Sequence, residues 1–283
     1  MKRRASQAMN ALFAAVNGAC RAACQDQLAG ECALVGDGAH IGHLRRTFPG
    51  LSVDTGCRRD QDLVLLAFVN RSGSTHLGQL LASAPDLYGF REDLIHSTVT
   101  TRCKKAGLGS VSAYVDHIAS LGYKPRAAFG IKASAEQVRF VRLAGIDRMF
   151  NSVRVVRISR HDRIAQAVSY WMADQTQEWT SRHDACDTDL EYDLTALRGH
   201  LKGIQNAEAA LDLVLAASPF PVCNVFYEDL VADRMATVQT IRQALGLPPT
   251  DQVSAGWAKR QKSAEKQAFT DRFRRDLERC WFD

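Results

Sequence analysis

A chain of 283 residues that is 46% hydrophobic can bury a sizeable core as one large domain, or as one domain plus an extension. Its formal net charge of +5 is spread along the chain, which fits an anionic ligand and gives no basic stripe for nucleic acid. No run approaches the ~20 consecutive apolar residues of a membrane span, so none is expected.

Residues 1–61 read as an N-terminal extension, partly helical and without assigned chemistry. Met1-Lys2-Arg3-Arg4 has the charge of a signal-peptide start, but Asn17 and Arg21 cut the apolar stretch short and no clear small-residue cleavage site follows. A cytoplasmic protein is expected, with a short amphipathic helix over residues 11–23 and loops from there to the first core strand. The cysteines are clustered early (Cys20, Cys24, Cys32, Cys57) or scattered later (Cys103, Cys186, Cys223, Cys280) without a disulfide framework, so they are read as reduced. Cys20, Cys24, Cys32, His40 and His43 match no common zinc spacing, and no metal is assigned.

The stretch that organises the chain comes next. Leu63-Val64-Leu65-Leu66-Ala67-Phe68-Val69 is a continuous apolar run of strand length, and Asn70-Arg71-Ser72-Gly73-Ser74-Thr75 is a short polar turn. From His76 the apolar residues return at helical spacing. A buried strand feeding a tight loop and a helix start holds anions, because the first backbone N–H groups of the helix have no partners within it. Gly73 permits close approach, Ser72, Ser74 and Thr75 add hydroxyls, and Arg71 adds a charge that can fork onto two oxygens. The loop lacks the first glycine and the lysine of a Walker A motif.

A break at Ser83-Ala84-Pro85-Asp86 leads to Leu87-Tyr88-Gly89-Phe90-Arg91-Glu92-Asp93-Leu94. Loops at the carboxyl edge of a parallel sheet converge on one crevice, which brings Arg91, Glu92 and Asp93 near the cradle; taken alone they are solvated surface charges. Residues 111–121 have helical spacing, residues 127–132 read as a second core strand ending in Lys132, and residues 136–143 as a helix. Residues 153–159 form the clearest later strand, and Arg160-His161-Asp162-Arg163 leads into a helix over residues 164–175 with Asp162 as N-cap. Trp171 and Trp179 fit either a core or a sugar-stacking role. A helix-prone segment over residues 192–217, a strand over 222–227, a helix over 235–245 and a closing amphipathic helix complete the pattern. Strands alternating with helices predict a three-layer α/β fold, P-loop-like, with a mainly parallel central sheet flanked by helices over residues 62–283.

The cradle and the Arg160–Ser169 segment, continuing through Trp171, Ala173, Gln175, Thr176 and Trp179, together resemble the bacterial trehalose 2-sulfotransferase family. The tail Arg260-Gln261, followed by Arg272-Phe273-Arg274-Arg275-Asp276, is similar too, and the resemblance covers roughly residues 62–280. It implies a sulfotransferase whose co-substrate is 3′-phosphoadenosine-5′-phosphosulfate (PAPS), acting without a metal on a carbohydrate or glycolipid hydroxyl, usually as a homodimer. Arg71, Ser72, Gly73, Ser74 and Thr75 would hold the 5′-phosphosulfate, and Arg160 and Ser169 the 3′-phosphate. Glu92 would be the general base, with Arg71 meeting the charge that develops on the leaving phosphate. Asn70, Phe90, Arg91 and Glu92 occupy acceptor-side positions; Asn70 stands where the family has glutamine, and Gly89-Phe90-Arg91 differs in charge and shape. A magnesium-dependent P-loop kinase and a non-catalytic nucleotide-binding module are the alternatives that the cradle alone leaves open.

Overall fold

The computed structural model describes residues 39–179, 190–254 and 264–282. The expected helix over residues 11–23, Cys20, Cys24, Cys32, Cys186 and the Arg260-Gln261 pair lie outside the described residues.

The apolar run after residue 62 forms strand β1 (Leu63–Phe68), buried along its whole length. It is the middle strand of a five-stranded sheet ordered β2-β3-β1-β4-β5, with β2 at Leu87–Arg91, β3 at Ala128–Ala133, β4 at Val153–Ser159 and β5 at Val222–Phe226. Every pairing is parallel. A parallel sheet needs crossover connections and cover on both faces, which explains why β1 is apolar at consecutive positions.

The strand period of two sorts β1 between two cores. Leu63, Leu65 and Ala67 face one side, where they meet Ile41 and Leu44 of α1 (Ala39–Thr47), Tyr114 of α4 (Val111–Ser120) and Phe140 of α5 (Ala135–Leu143). The same core takes Val99 of α3 (His96–Ala106), Val168 of α6 (Arg163–Thr176), Ile204 of α7 (Leu194–Ala216) and Phe273 of α10 (Ala264–Phe282). Val64, Leu66 and Phe68 face the other side, against Leu77, Leu80 and Leu81 of α2 (Ser74–Ser83). Leu230 of α8 (Tyr227–Ala232) and Val238 and Ile241 of α9 (Arg234–Ala244) complete that layer. The result is the expected three-layer α/β fold. No helix among the described residues is long and apolar enough to cross a membrane.

Three expectations are corrected. Residues 39–61, read as loops leading to the first core strand, include the helix α1 and bring it, with the buried Phe48 and Leu51, to the main core. A nine-residue helix containing Gly42 has little intrinsic stability, and tertiary burial of Ile41 and Leu44 supplies what the local pattern lacks. The Leu87–Arg91 segment, read as a loop, is the edge strand β2, with a register shift between Gly89 and Arg91. The strand expected over 222–227 ends at Phe226, and Tyr227 begins α8.

Candidate active site

All five strands end at the same edge, and the cradle sits at the end of the central one. Arg71 (φ +64°) and Gly73 (φ +91°) are left-handed, and this double turn swings the chain into α2. Gly73 is the N-cap and provides no side-chain cap, and the first turn of α2 has no acidic residue. The positive end of the helix dipole therefore faces the crevice without an internal counter-charge. Ser72 is fully buried, and its Oγ has no hydrogen-bond partner among the described residues. An unpaired buried hydroxyl is costly, so this one suits an acceptor brought in from outside.

Helix α6 is tied to the loop from the opposite side. Asp162 caps it, accepting from the Ala165 N–H at 2.9 Å. Gln166, fully buried, donates from Nε2 to the Asn70 carbonyl at 2.8 Å, and Asn70 Nδ2 donates to the Tyr170 hydroxyl at 3.0 Å. Arg71 Nε donates to Ser169 Oγ at 3.0 Å and Nη1 to the Trp179 carbonyl at 2.8 Å. Burial, and after it the nearby Arg160 guanidinium, lowers the pKa of Arg71 from its ordinary value. Two arginines that repel each other at the mouth of a cradle form a site an anion would stabilise.

Arg160 is held by residues that follow β5. Its guanidinium lies 4.7 Å from the centre of the Tyr227 ring, and its Nε is 3.5 Å from Glu228 Oε1. The other Glu228 oxygen accepts the His161 N–H at 3.0 Å. Burial pushes the Glu228 pKa up, but the His161 N–H, its own N–H and Arg160 outweigh it, and the net direction is down. Tyr227 and Glu228 were not singled out from the sequence. Their position at the carboxyl end of a core strand was the available signal.

On the β2 side, Glu92 accepts a hydrogen bond through Oε1 from Lys132 Nζ, and the same ammonium donates to Thr75 Oγ1 at 3.1 Å. The positions expected on the acceptor side divide here. Asn70 and Glu92 are solvent-accessible just beyond the ends of β1 and β2, whereas Phe90 is 5% exposed and its ring fills the space above Gly130, where a Cβ would lie 2.5 Å from ring atoms. Arg91 turns away to the Ile118 and Leu121 carbonyls and to Asp93. Asp93 is not a surface charge: it is 1% exposed and paired with Arg91 and, at 2.8 Å, with Arg102. The edge strand packs tightly against β3, and this draws Phe90 and Arg91 into the fold. Trp171 is core, and Trp179 is partly exposed beside Tyr170, with ring centres 5.9 Å apart.

A parallel α/β sheet with an anion cradle, two converging arginines and a carboxylate at its open edge is the frame of a group-transfer enzyme. Residues 64–276 match the Stf0 sulphotransferase family, and the chain belongs to that family and is a sulfotransferase. It is 24% identical over 183 residues to a trehalose 2-sulfotransferase from Mycobacterium tuberculosis, covering 59% of this chain and 68% of that protein. It is 24% identical over 191 residues to a trehalose 2-sulfotransferase from Mycolicibacterium smegmatis, covering 62% and 71%. Among solved structures, the sulfotransferase domain of the Synechococcus PCC 7002 olefin synthase aligns with a TM-score of 0.49 at 16% identity, covering 79% of this chain and 90% of that one.

Proposed function

We propose that the protein transfers a sulfuryl group from PAPS to a hydroxyl of a carbohydrate-type acceptor, a sugar, glycolipid or polysaccharide. The observation that carries this reading is the placement of the Glu92 carboxylate beside the cradle, joined to the cradle hydroxyl of Thr75 through Lys132. The two mycobacterial relatives, both named as trehalose 2-sulfotransferases, support a sugar hydroxyl as acceptor.

The residues present fit the donor. The unpartnered Ser72 Oγ and the uncapped start of α2 suit the 5′-phosphosulfate, together with Gly73, Ser74, Thr75 and Arg71. Arg160 and Ser169 are assigned the 3′-phosphate. When bound, the donor supplies the sulfuryl group and a phosphate leaving group. The acceptor oxygen gains a bond to sulfur, the bond from sulfur to the 5′-phosphate oxygen breaks, and its electron pair stays on the phosphate. Glu92 takes the hydroxyl proton through Oε2, which has no hydrogen bond among the described residues, a contribution of about 10²–10⁴-fold in rate. Arg71 and the loop N–H groups meet the charge that grows on the leaving oxygen, in preorganised positions. In the same reading the enzyme works in the cytoplasm as a homodimer, which sedimentation equilibrium would test.

Thermal denaturation with adenosine-3′,5′-bisphosphate, and separately with ATP and magnesium, tests the donor assignment. The bisphosphate at a hundredfold excess over its Kd is expected to stabilise the fold by about 2.7 kcal/mol. A shift with ATP and magnesium alone would overturn the reading in favour of a kinase. Transfer from radiolabelled PAPS to a panel of sugars, glycolipids and polysaccharides identifies the acceptor.

A further inference from the structure

We infer that Lys132 is a positioning residue for sulfuryl transfer, orienting the Glu92 carboxylate and the Thr75 hydroxyl with one ammonium group. The inference rests on Glu92 as the proton acceptor. Lys132 sits near the carboxyl end of β3, in register with Leu66 of the central strand, and its side chain reaches the gap between the cradle and the end of β2. The Lys132 side chain is 5% exposed and that of Glu92 40%, so the ammonium is the fixed partner and the carboxylate the one open to the crevice.

The chemistry of the three groups sets their orientations. An ammonium has three donors and no acceptor, so in the contact with Thr75 the hydroxyl oxygen must accept. The Thr75 proton is thereby turned away from Lys132 and left to donate elsewhere. A second N–H of Lys132 holds Glu92 Oε1 and fixes the direction in which Oε2 points. The Phe68 ring, with its centre 4.6 Å from Nζ, bounds the ammonium on a further side. Burial is the largest influence on Lys132, drawing its pKa down while Glu92 draws it back. A buried ion pair is weak evidence for stability, since an apolar replacement of similar volume is often no less stable. Here the pair stands at the functional edge of the sheet and ties the base to the anion loop.

The test is a double-mutant cycle on the full chain: Lys132→Met and Lys132→Gln, each alone and combined with Glu92→Gln. Lys132→Met is expected to lower kcat about 100-fold through misplacement of the base, while acceptor KM and bisphosphate affinity stay within a few fold. Lys132→Gln, which can still donate one hydrogen bond, should recover part of that loss. Combined with Glu92→Gln, Lys132→Met should lower kcat by no more than a further ~3-fold, because its effect on the chemical step passes through Glu92, whereas its contact with Thr75 is read in donor affinity. A folded Lys132→Met enzyme with full kcat would overturn the inference, and so would penalties that multiply in the double variant. If Lys132→Met does not fold, Lys132→Gln provides the same comparison. Glu92→Gln alone reports separately on the underlying reading: full turnover there removes the base itself, whereas a slow Glu92→Gln beside a fast Lys132→Met removes only the role of Lys132.

Discussion

The ring of Tyr227 occupies the space that a side chain on Gly73 would need: a Cβ there would lie 2.3 Å from Tyr227 Cδ2. Gly73 also holds a left-handed φ of +91°, so steric and torsional constraints coincide at one cradle residue. A folded Gly73→Ala protein is expected to lose the stabilisation given by adenosine-3′,5′-bisphosphate. Adding Tyr227→Ala removes the clash but not the strained torsion, so it should restore the stability of the fold only in part. Undiminished bisphosphate affinity in Gly73→Ala would dismiss the loop as the anion site.

Arg160 offers a test of how the donor is divided between its two ends. Arg160→Ala should weaken adenosine-3′,5′-bisphosphate by about 1.5–3 kcal/mol, the worth of a charge-assisted contact, and adenosine-5′-phosphosulfate far less. Calorimetric titration of both ligands checks this. Equal losses would mean that Arg160 serves the 5′ end, where its repulsion with Arg71 also places it within reach.

Glu92→Gln separates chemistry from binding. The amide keeps the size of the side chain and loses the proton acceptor, so kcat should fall about 10²–10⁴-fold while donor affinity changes within a few fold. Steady-state kinetics with saturating donor reads the first, and thermal shift the second. Arg91 and Asp93 do not serve as inert controls, because the Arg91–Asp93–Arg102 network is largely inside the fold.

His40 predicts a specific pH dependence of stability. On α1 it is 7% exposed, its Nε2 has no partner among the described residues, and burial first, then His96 and His43, lower its pKa from 6.5 to about 4. The folded pKa lies below the unfolded one, so between these values the unfolded chain binds more protons. Stability from this group is complete above the upper value and declines as the pH falls toward the lower one, by on the order of 3 kcal/mol. Urea midpoints measured on either side of that window should show the fall, and His40→Phe should flatten it. An unchanged slope in His40→Phe would assign the effect to other groups.

Fold class was readable because β1 is apolar at every position, which a central strand covered on both faces requires, because β3 and β4 recur as strand-length runs between helical segments, and because Asp162 marks a helix start by its own chemistry. Strand β2 was not readable: Gly89, with φ +92°, and Phe90, with φ +56°, break the strand pattern, and only packing against β3 completes it. The cradle stood out since its residues are contiguous. Lys132, Tyr227 and Gln166 reach it from points 57, 154 and 96 residues away in sequence, counting from Thr75, Gly73 and Asn70 in turn. Local pattern carries no information on such distances. Phe90 and Arg91 show the converse, since proximity in sequence to Glu92 placed them at the crevice while the pleat and the left-handed turn sent them inward.

The central place of β1 also sets an order of assembly. Its neighbours are β3, which begins at Ala128, and β4, which ends at Ser159, so the strand that carries the cradle is synthesised well before either flank exists. During translation the run Leu63–Phe68 must wait with both edges open until more than half the chain has left the ribosome. Parallel pairings across such separations form slowly, on the order of milliseconds to seconds in domains rich in distant contacts. A nascent chain of this protein therefore holds its wholly apolar central strand early and its anion site late, and unpaired apolar strands of that kind are prone to aggregate.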